Sequence, residues 1–399
     1  MNDQPQLMIF DDGQGAFTPL TDLRAVFELR TGKHSTQKRI EHLTGLPTQA
    51  IQVPKALQAV MLERYPKLAV NTPPTTAGDW LTVNGRCADH TILTQIAQLQ
   101  SGQAMQLADG TPVAARVNLT DSWDWPQDIT VTQLEDNTLL TRVWQIHNLL
   151  HKNLVNDIEL CQFPMIGRIE DRYHGVTVFG DHAIKVHPSA TLQPGVILNS
   201  EDGPICIDED VLVESPTVIQ GPCSIGKGSM IAPMTQLRGD TVIGPVCKVG
   251  GEIKASIIAG YSNKAHAGYL GNALVGYWVN LGADTTASNL KNTYSPVRMQ
   301  LAPNLPREDT GLANLGPVIG DYVRTGITTR MPTGTVIGTG TMIAQSTFTP
   351  TCVSPMRFIT DKADDAYAPD KLIATIKAMM SRRDQQLTDA DANRLRDLG

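Results

Sequence analysis

Aromatic residues are scarce in this chain, at 5% of 399 residues, and charged residues reach only 18%, below the usual quarter. A basic excess is missing too. Lys and Arg number 33 against 40 Asp and Glu, a net charge of −7. That leaves no surplus to neutralise a nucleic-acid backbone and no polybasic run for an acidic membrane surface. Local cations can still meet phosphates, because net charge describes only the average surface. No stretch approaches the roughly 18 apolar residues of a membrane span. The opening MNDQPQLMIFDDG has no basic segment followed by an apolar one, so neither membrane association nor a secretory signal is expected. The six cysteines (Cys87, Cys161, Cys206, Cys223, Cys247, Cys352) form no CxxC pair. They read as reduced, mostly buried side chains of a cytoplasmic protein, and no Cys/His cluster points to zinc.

Glycine and proline, by contrast, are plentiful, at 33 and 25 residues. Hydrophobic residues at 41% are enough to bury a core, and the length favours two domains. Few charges, few aromatics and many turn residues fit a β architecture with tight, repeated corners.

A repeat supplies those corners. From Ile207 an aliphatic side chain recurs every six positions: Ile207, Val213, Ile219, Ile225, Ile231, Leu237, Ile243, Val249. Val186, Leu192 and Leu198 start the series upstream, and Val275, Leu281, Ile319, Met331, Ile337 and Ile343 continue it in later phases. Neither a helix period of 3.6 nor a strand period of 2 explains this spacing. A triangular solenoid does. Six residues make one short strand and one corner, three sixes complete a coil, and residues such as Gly226, Gly244, Gly282 and Gly338 turn the corners. The rival, a β-sandwich, would space its strands irregularly.

The first part of the chain reads as an α/β domain with a mainly parallel sheet. QLMIF, AIQVP and WLTVNG are strand candidates; TDLRAVFELRTG (21–32) and HTILTQIAQLQ (90–100) look helical. A long amphipathic helix is expected over 138–160, and a further helix after Cys352, packing outside the solenoid or along a neighbouring subunit. The expected domains are 1–135 (α/β), 136–180 (helical linker), 181–356 (solenoid) and 357–399 (C-terminal helical extension).

The segment GYSNKAHAGYLGNALVGYWVNLGADTTASNLKNTYSPV resembles the acetyltransferase region of bacterial hexapeptide enzymes that make UDP-N-acetylglucosamine. FDDGQGAFTPLTDLRAVFELRTG resembles a shortened sugar-nucleotidyltransferase domain. Together they resemble the alternative bifunctional UDP-N-acetylglucosamine diphosphorylase/glucosamine-1-phosphate N-acetyltransferase family. The resemblance implies that the solenoid is a left-handed parallel β-helix with acyltransferase activity, and that the α/β domain is nucleotidyltransferase-like. It also implies a homotrimer with sites between adjacent subunits.

Acyl transfer from a thioester to an amine needs a base for the ammonium proton and donors for the oxyanion. The resemblance makes His266 the catalytic base, with Tyr269 and Asn280 orienting the reactants. It assigns Arg238, Lys254 and Asn289 to the sugar phosphate and sets Ala283 beside the acyl-donor thioester. The spacing KAH here is one residue shorter than the KAGH of the better-known bifunctional enzyme, and Lys291 follows Asn289 at a different spacing.

In the α/β domain the nucleotide-binding candidates are Asp12 and Gly13 in the DDGQG loop, Arg24, Arg30, Lys33, and Asn84-Gly85. Asn84 stands where many such enzymes place a magnesium-binding aspartate, and as a neutral group it is the weaker Mg²⁺ ligand. Asp11 or Asp12 could supply charge instead, so the metal ligands stay open. The expected reaction is acetyl-CoA-dependent N-acetylation of an amino-sugar 1-phosphate, coupled to Mg²⁺-dependent nucleotidyl transfer from UTP. The alternatives are a single-activity transferase acting on another sugar and a non-catalytic nucleotide-sugar scaffold.

Overall fold

In the computed structural model, which describes residues 4–164 and 168–399, the chain forms two compact units. Residues 165–167, inside the span 136–180 expected as a linker, and residues 1–3 lie outside the described residues. The first unit comprises the chain through Phe17 with Leu23–Leu149 and Thr388–Arg394; the second comprises Thr18–Asp22, Leu150–Leu387 and Leu395–Gly399.

Seven strands make the sheet of the first unit: β1 (Gln6–Phe10), β2 (Thr48–Gln52), β3 (Ala69–Val70), β4 (Gly78–Asn84), β5 (Gln103–Leu107), β6 (Pro112–Leu119) and β7 (Thr130–Leu134), in the order β3-β2-β1-β4-β6-β5-β7. Strands β1 to β4 pair in parallel, linked through helices α1 (Thr36–Thr44) and α2 (Gln58–Arg64), and α3 (His90–Ile96) follows β4. The sheet is mainly parallel as expected, with one exception: β6 runs antiparallel to both β4 and β5. Asp109-Gly110 is the reason. Gly110 adopts φ 86° and Asp109 Oδ1 accepts the Thr111 N–H, a tight turn that joins neighbouring strands with no crossover helix.

Two helical expectations need correction. Residues 21–32 hold only a short 3-10 turn at Val26–Glu28. Leu23, Ala25, Val26, Phe27 and Leu29 are all buried, so the segment has no polar face to give water. The Val26 N–H is donated to Asp11 Oδ2 at 2.8 Å, which draws the turn to the end of β1. The helix expected from 138 begins at Ile146 (α4, Ile146–Leu160). Before it, the Gln145 side chain accepts the Thr141 and Arg142 N–H groups at 2.7 and 2.9 Å, holding that stretch extended.

In the second unit a short helix, α5 (Ile169–Arg172), precedes a stack of short strands, β-helix-like in form. Most of these form three parallel sheets of nine, six and five strands, each strand pairing with its equivalent on the next coil, and a four-stranded and a two-stranded sheet hold later coils. The repeat is met in space: Val213, Ile231 and Val249 stand in register, and all eight side chains from Ile207 to Val249 are no more than 1% exposed. One continuous apolar core runs from Ile169 to Ile359. Residues 299–317 leave the stack through a small hairpin pairing Arg298–Met299 with Glu308–Asp309, and Val318–Ile319 returns beside Leu274–Val275.

Helix α6 (Pro369–Ser381) lies outside the coils, burying Leu372, Ile373, Ile376 and Met380. A Cβ at Gly340 would meet Leu372 Cδ2 at 2.6 Å, so the glycine permits that close approach. Helix α7 (Asp389–Leu398) ends the chain. Among the described residues no helix is long and apolar enough to cross a membrane.

Candidate functional site

The first candidate site lies at the carboxyl ends of β1 and β2, the usual ligand edge of a parallel sheet. Phe10, Asp11, Asp12, Gly13, Gln52, Val53 and Pro54 line a pocket of about 320 Å³ there. Asp12 is tightly held. Arg86 donates to it through Nη2 at 2.6 Å and Nε at 2.9 Å, and Asn84 Nδ2 donates to Oδ2 at 2.9 Å. Burial pushes the Asp12 carboxyl upward, but the Arg86 and Asn84 donors outweigh it and hold the group below its ordinary value. Burial wins at Asp11, raising its carboxyl despite the Val26 and Gly13 N–H donors.

Asn84 is wholly buried, and both ends of its amide are used internally. Nδ2 donates to Asp12 and to the Pro112 carbonyl, while Oδ1 accepts the Arg86 N–H at 2.9 Å. Gly85 is required for packing, since a Cβ would meet Phe27 Cβ at 2.8 Å. Arg24, Arg30 and Lys33 are not among the residues lining the pocket. Arg30 donates to the Lys33 carbonyl, Lys33 is itself buried, and Arg24 lies in the field of Arg64 and Tyr65. Arg86 was not legible as part of this site from its sequence position.

No group of three or more His, Cys, Asp or Glu suited to a metal ion occurs among the described residues. At the pocket mouth Asp12 is neutralised by Arg86 and Asp11 is engaged by backbone donors. This donor set does not fit a preformed Mg²⁺ site.

The second candidate site lies on the coils. Glu252–Lys254 pairs with Tyr269–Gly271 in register Glu252↔Tyr269 and Lys254↔Gly271, and Leu237 pairs with Ile253. Arg238, Lys254 and Tyr269 therefore share one sheet. Arg238 Nη1 donates to Glu252 Oε1 at 2.9 Å. Burial raises the Tyr269 hydroxyl above its ordinary value, Glu252 adds to the rise, and Arg238 and a hydrogen bond with Asn289 oppose it. Asn289 Nδ2 in turn donates to Asn272 Oδ1 at 2.7 Å. His266 stands exposed on the corner just before Tyr269. Glu252 and Asn272 belong to this cluster and carry no signal in the repeat.

Asn280 lies elsewhere. It bridges to Asn263 in the sheet containing Val249 and Lys264 and accepts the Asn263 Nδ2 donor at 3.2 Å. Ala283 is three residues further on, its carbonyl accepting the Thr328 N–H at 2.6 Å. Beside Asn280 a cavity of about 500 Å³ is lined by Lys248, Asn263, Arg324, Arg382, Arg383 and the α6 residues Thr375, Ala378 and Met379. Arg324 Nη2 meets Met379 Sδ at 3.3 Å, and its buried Nε has no hydrogen-bond partner among the described residues. Burial lowers the Arg324 guanidinium from its ordinary value. One chain thus gathers Arg238, Lys254 and Tyr269 on one sheet, with Asn289 hydrogen-bonded beside Tyr269, and holds Asn280 on another.

The clamp on Asp12 generates a prediction. Replacing Arg86 by Met leaves a partly buried carboxylate without its cation and should destabilise the protein by on the order of 3 kcal/mol at pH 7. Because the folded Asp12 carboxyl is lowered, its stabilising contribution exists above its unfolded value and fades as pH falls below about 4. Urea midpoints should therefore converge between wild type and Arg86→Met at pH 3. An equal gap at both pH values would contradict the clamp.

Residues 7–163 match the sugar nucleotidyl transferase family. The bifunctional protein GlmU of Synechococcus elongatus is 26% identical over 313 residues, covering 76% of this chain and 59% of that protein. The bifunctional sugar-1-phosphate nucleotidylyltransferase/acetyltransferase of Sulfurisphaera tokodaii is 37% identical over 138 residues, 34% of each chain. GlmU of Picosynechococcus is 34% identical over 93 residues, 22% of this chain and 21% of that protein. The chain thus spans between 21% and 59% of the length of these relatives. Residues 7–163 are thus similar to a sugar nucleotidyl transferase domain, and the chain as a whole is similar to bifunctional GlmU proteins.

Proposed function

We propose that the coil unit transfers an acyl group, acetyl from acetyl-CoA, to the amine of an amino-sugar 1-phosphate such as glucosamine 1-phosphate. The carrying observation is one sheet face that holds Arg238, Lys254 and Tyr269, with Asn289 hydrogen-bonded to Tyr269 and the His266 corner next to it in the chain. Two cations on adjacent coils suit a sugar phosphate, the guanidinium as a fork and the ammonium as a point charge. His266 takes a proton from the amine as nitrogen attacks the thioester carbon. The carbon–sulfur bond then breaks, and the proton passes to the leaving thiolate. Tyr269 and Asn280 orient the reactants.

Asn280 sits on a different sheet from Tyr269, which supports a site completed by a second copy, in a homotrimer. The cavity beside Asn280 carries Lys248, Arg324, Arg382 and Arg383 with no carboxylate in its lining. It suits the phosphates of coenzyme A, with Ala283 near the thioester end. The first unit would then join the product to a nucleotide from a nucleoside triphosphate, UTP being the expected donor. A second reading, in which only the coil unit is catalytic, is favoured by the engagement of Asp12 and Asn84 with Arg86.

Three measurements bear on these readings. His266→Ala should lower thiol release from acetyl-CoA by about 10²–10⁴-fold; turnover at the wild-type rate would remove His266 from the mechanism. Arg324→Met should raise the KM for acetyl-CoA about tenfold, the effect of losing one charge-assisted contact, and leave kcat unchanged. A pantetheine thioester without the nucleotide should be insensitive to that change, and equal sensitivity would refute the phosphate seat. Sugar-phosphate-dependent pyrophosphate release from UTP supports the two-activity reading; none, in a preparation active in acyl transfer, supports the second.

A further inference from the structure

One rung of the apolar ladder is a lysine. Leu192, Val213, Ile231, Val249 and Lys264 follow one another in register along the five-stranded sheet, and Leu281 occupies the next coil. The other five side chains are aliphatic, and Lys264 is buried with them at 3% exposure. Its Nζ donates to the carbonyls of Gly250 at 3.1 Å, His266 at 2.6 Å and Ala267 at 3.0 Å. That is the full donor inventory of an ammonium, and two of the three acceptors belong to the corner carrying His266. The corner is tightly fitted around the charge. A Cβ at Gly251 would meet Gly268 O at 2.7 Å, His266 O at 2.9 Å and Nζ itself at 3.1 Å. Gly268 closes the turn at φ 108°.

A buried cation among aliphatic rungs is costly to desolvate, and hydrophobic isosteres at such positions are often neutral or stabilising. Its presence therefore calls for a role that packing does not supply. We infer that Lys264 is a positioning residue for His266: its ammonium grips the His266 and Ala267 carbonyls and so fixes the backbone from which the imidazole projects toward the sugar amine. This rests on the acyltransferase reading of His266. Lys264 touches no substrate. It acts through the corner alone.

The protonation of Lys264 separates this role from a purely structural one. Burial pushes its ammonium down to about 8, with Asp284 of the following coil opposing the fall. Asp284 is the carboxylate that acts on it; Val249 and Leu281 above and below are apolar, Gly250 and Gly251 bring no side chain, and His266 is the other titratable group on its corner. Between about pH 8 and pH 10 the unfolded chain keeps a proton that the folded chain has released, so this group makes stability rise with pH. Over the same interval the corner loses its charged donor. Acyl transfer should fall while stability climbs.

The test uses the full chain carrying Lys264→Met and Lys264→Gln, with His266→Ala as reference. Hydrogen exchange at pH 7 is read on peptides covering 265–269 and, as a control, 207–243. We expect faster exchange at 265–269 in both variants, an unchanged control region, and kcat lowered on the order of 10²-fold in Lys264→Met, with Lys264→Gln intermediate and KM values held. The alkaline fall in kcat near pH 8 should vanish in Lys264→Met. Unchanged exchange at 265–269, or an alkaline limb that persists without Lys264, would overturn the inference. Should His266→Ala turn over like wild type, the acyltransferase reading itself fails, and exchange at 265–269 still reports whether Lys264 holds the corner.

Discussion

From Ile207 to Val249 every sixth side chain points into a space that excludes water, and the placement of the outward residues on these coils follows from filling it. Aliphatic rungs at Ile207, Val213, Ile219 and onward stack in register, each adding a few kcal/mol of burial, and their strands carry the outward residues along in fixed files. Arg238, Lys254 and Tyr269 share a face because Leu237, Ile253 and Leu270 beneath them share a core. The rule is broken at Lys264. There the pairing interval also shortens, from Ile231↔Val249 to Val249↔Lys264, and the His266 corner follows.

The first unit depends on a different kind of constraint. Its parallel strands deliver Asp11 and Asp12 to one edge, and Arg86 and Asn84 from the end of β4 then fix Asp12 in place. A carboxylate held this firmly organises the loop that a nucleotide would meet. It also withholds that oxygen from a metal. The geometry favours a pocket whose backbone is well defined and whose free negative charge is small.

The period of six was legible because a single spacing suffices to declare it, and the grouping of Arg238 with Lys254 followed once coils of fixed length were assumed. The helix expected over 21–32 misled because its apolar residues are buried on every side, where helical periodicity has no meaning. The partner of Asp12 could not be read, since Arg86 lies 74 positions away and only strand pairing brings them together. Asn280 and Tyr269 sit in one motif yet on two sheets, a separation set by where the chain turns its corners. The arginines beside Asn280 were invisible for the same reason: Arg382 and Arg383 follow directly on the end of α6, a helix whose docking no local pattern encodes.

The proposed acyl-transfer site makes the claim most directly open to test, namely that one copy would supply His266 and another Asn280, because Tyr269 and Asn280 lie on different sheets. Co-refolding inactive His266→Ala and inactive Asn280→Ala chains in equal amounts measures it. If each site draws one residue from each of two neighbours in a closed ring, random mixing restores about a quarter of wild-type acyl transfer. Mixtures as inactive as either parent would mean that both residues serve the same site from one chain, and the account would be wrong.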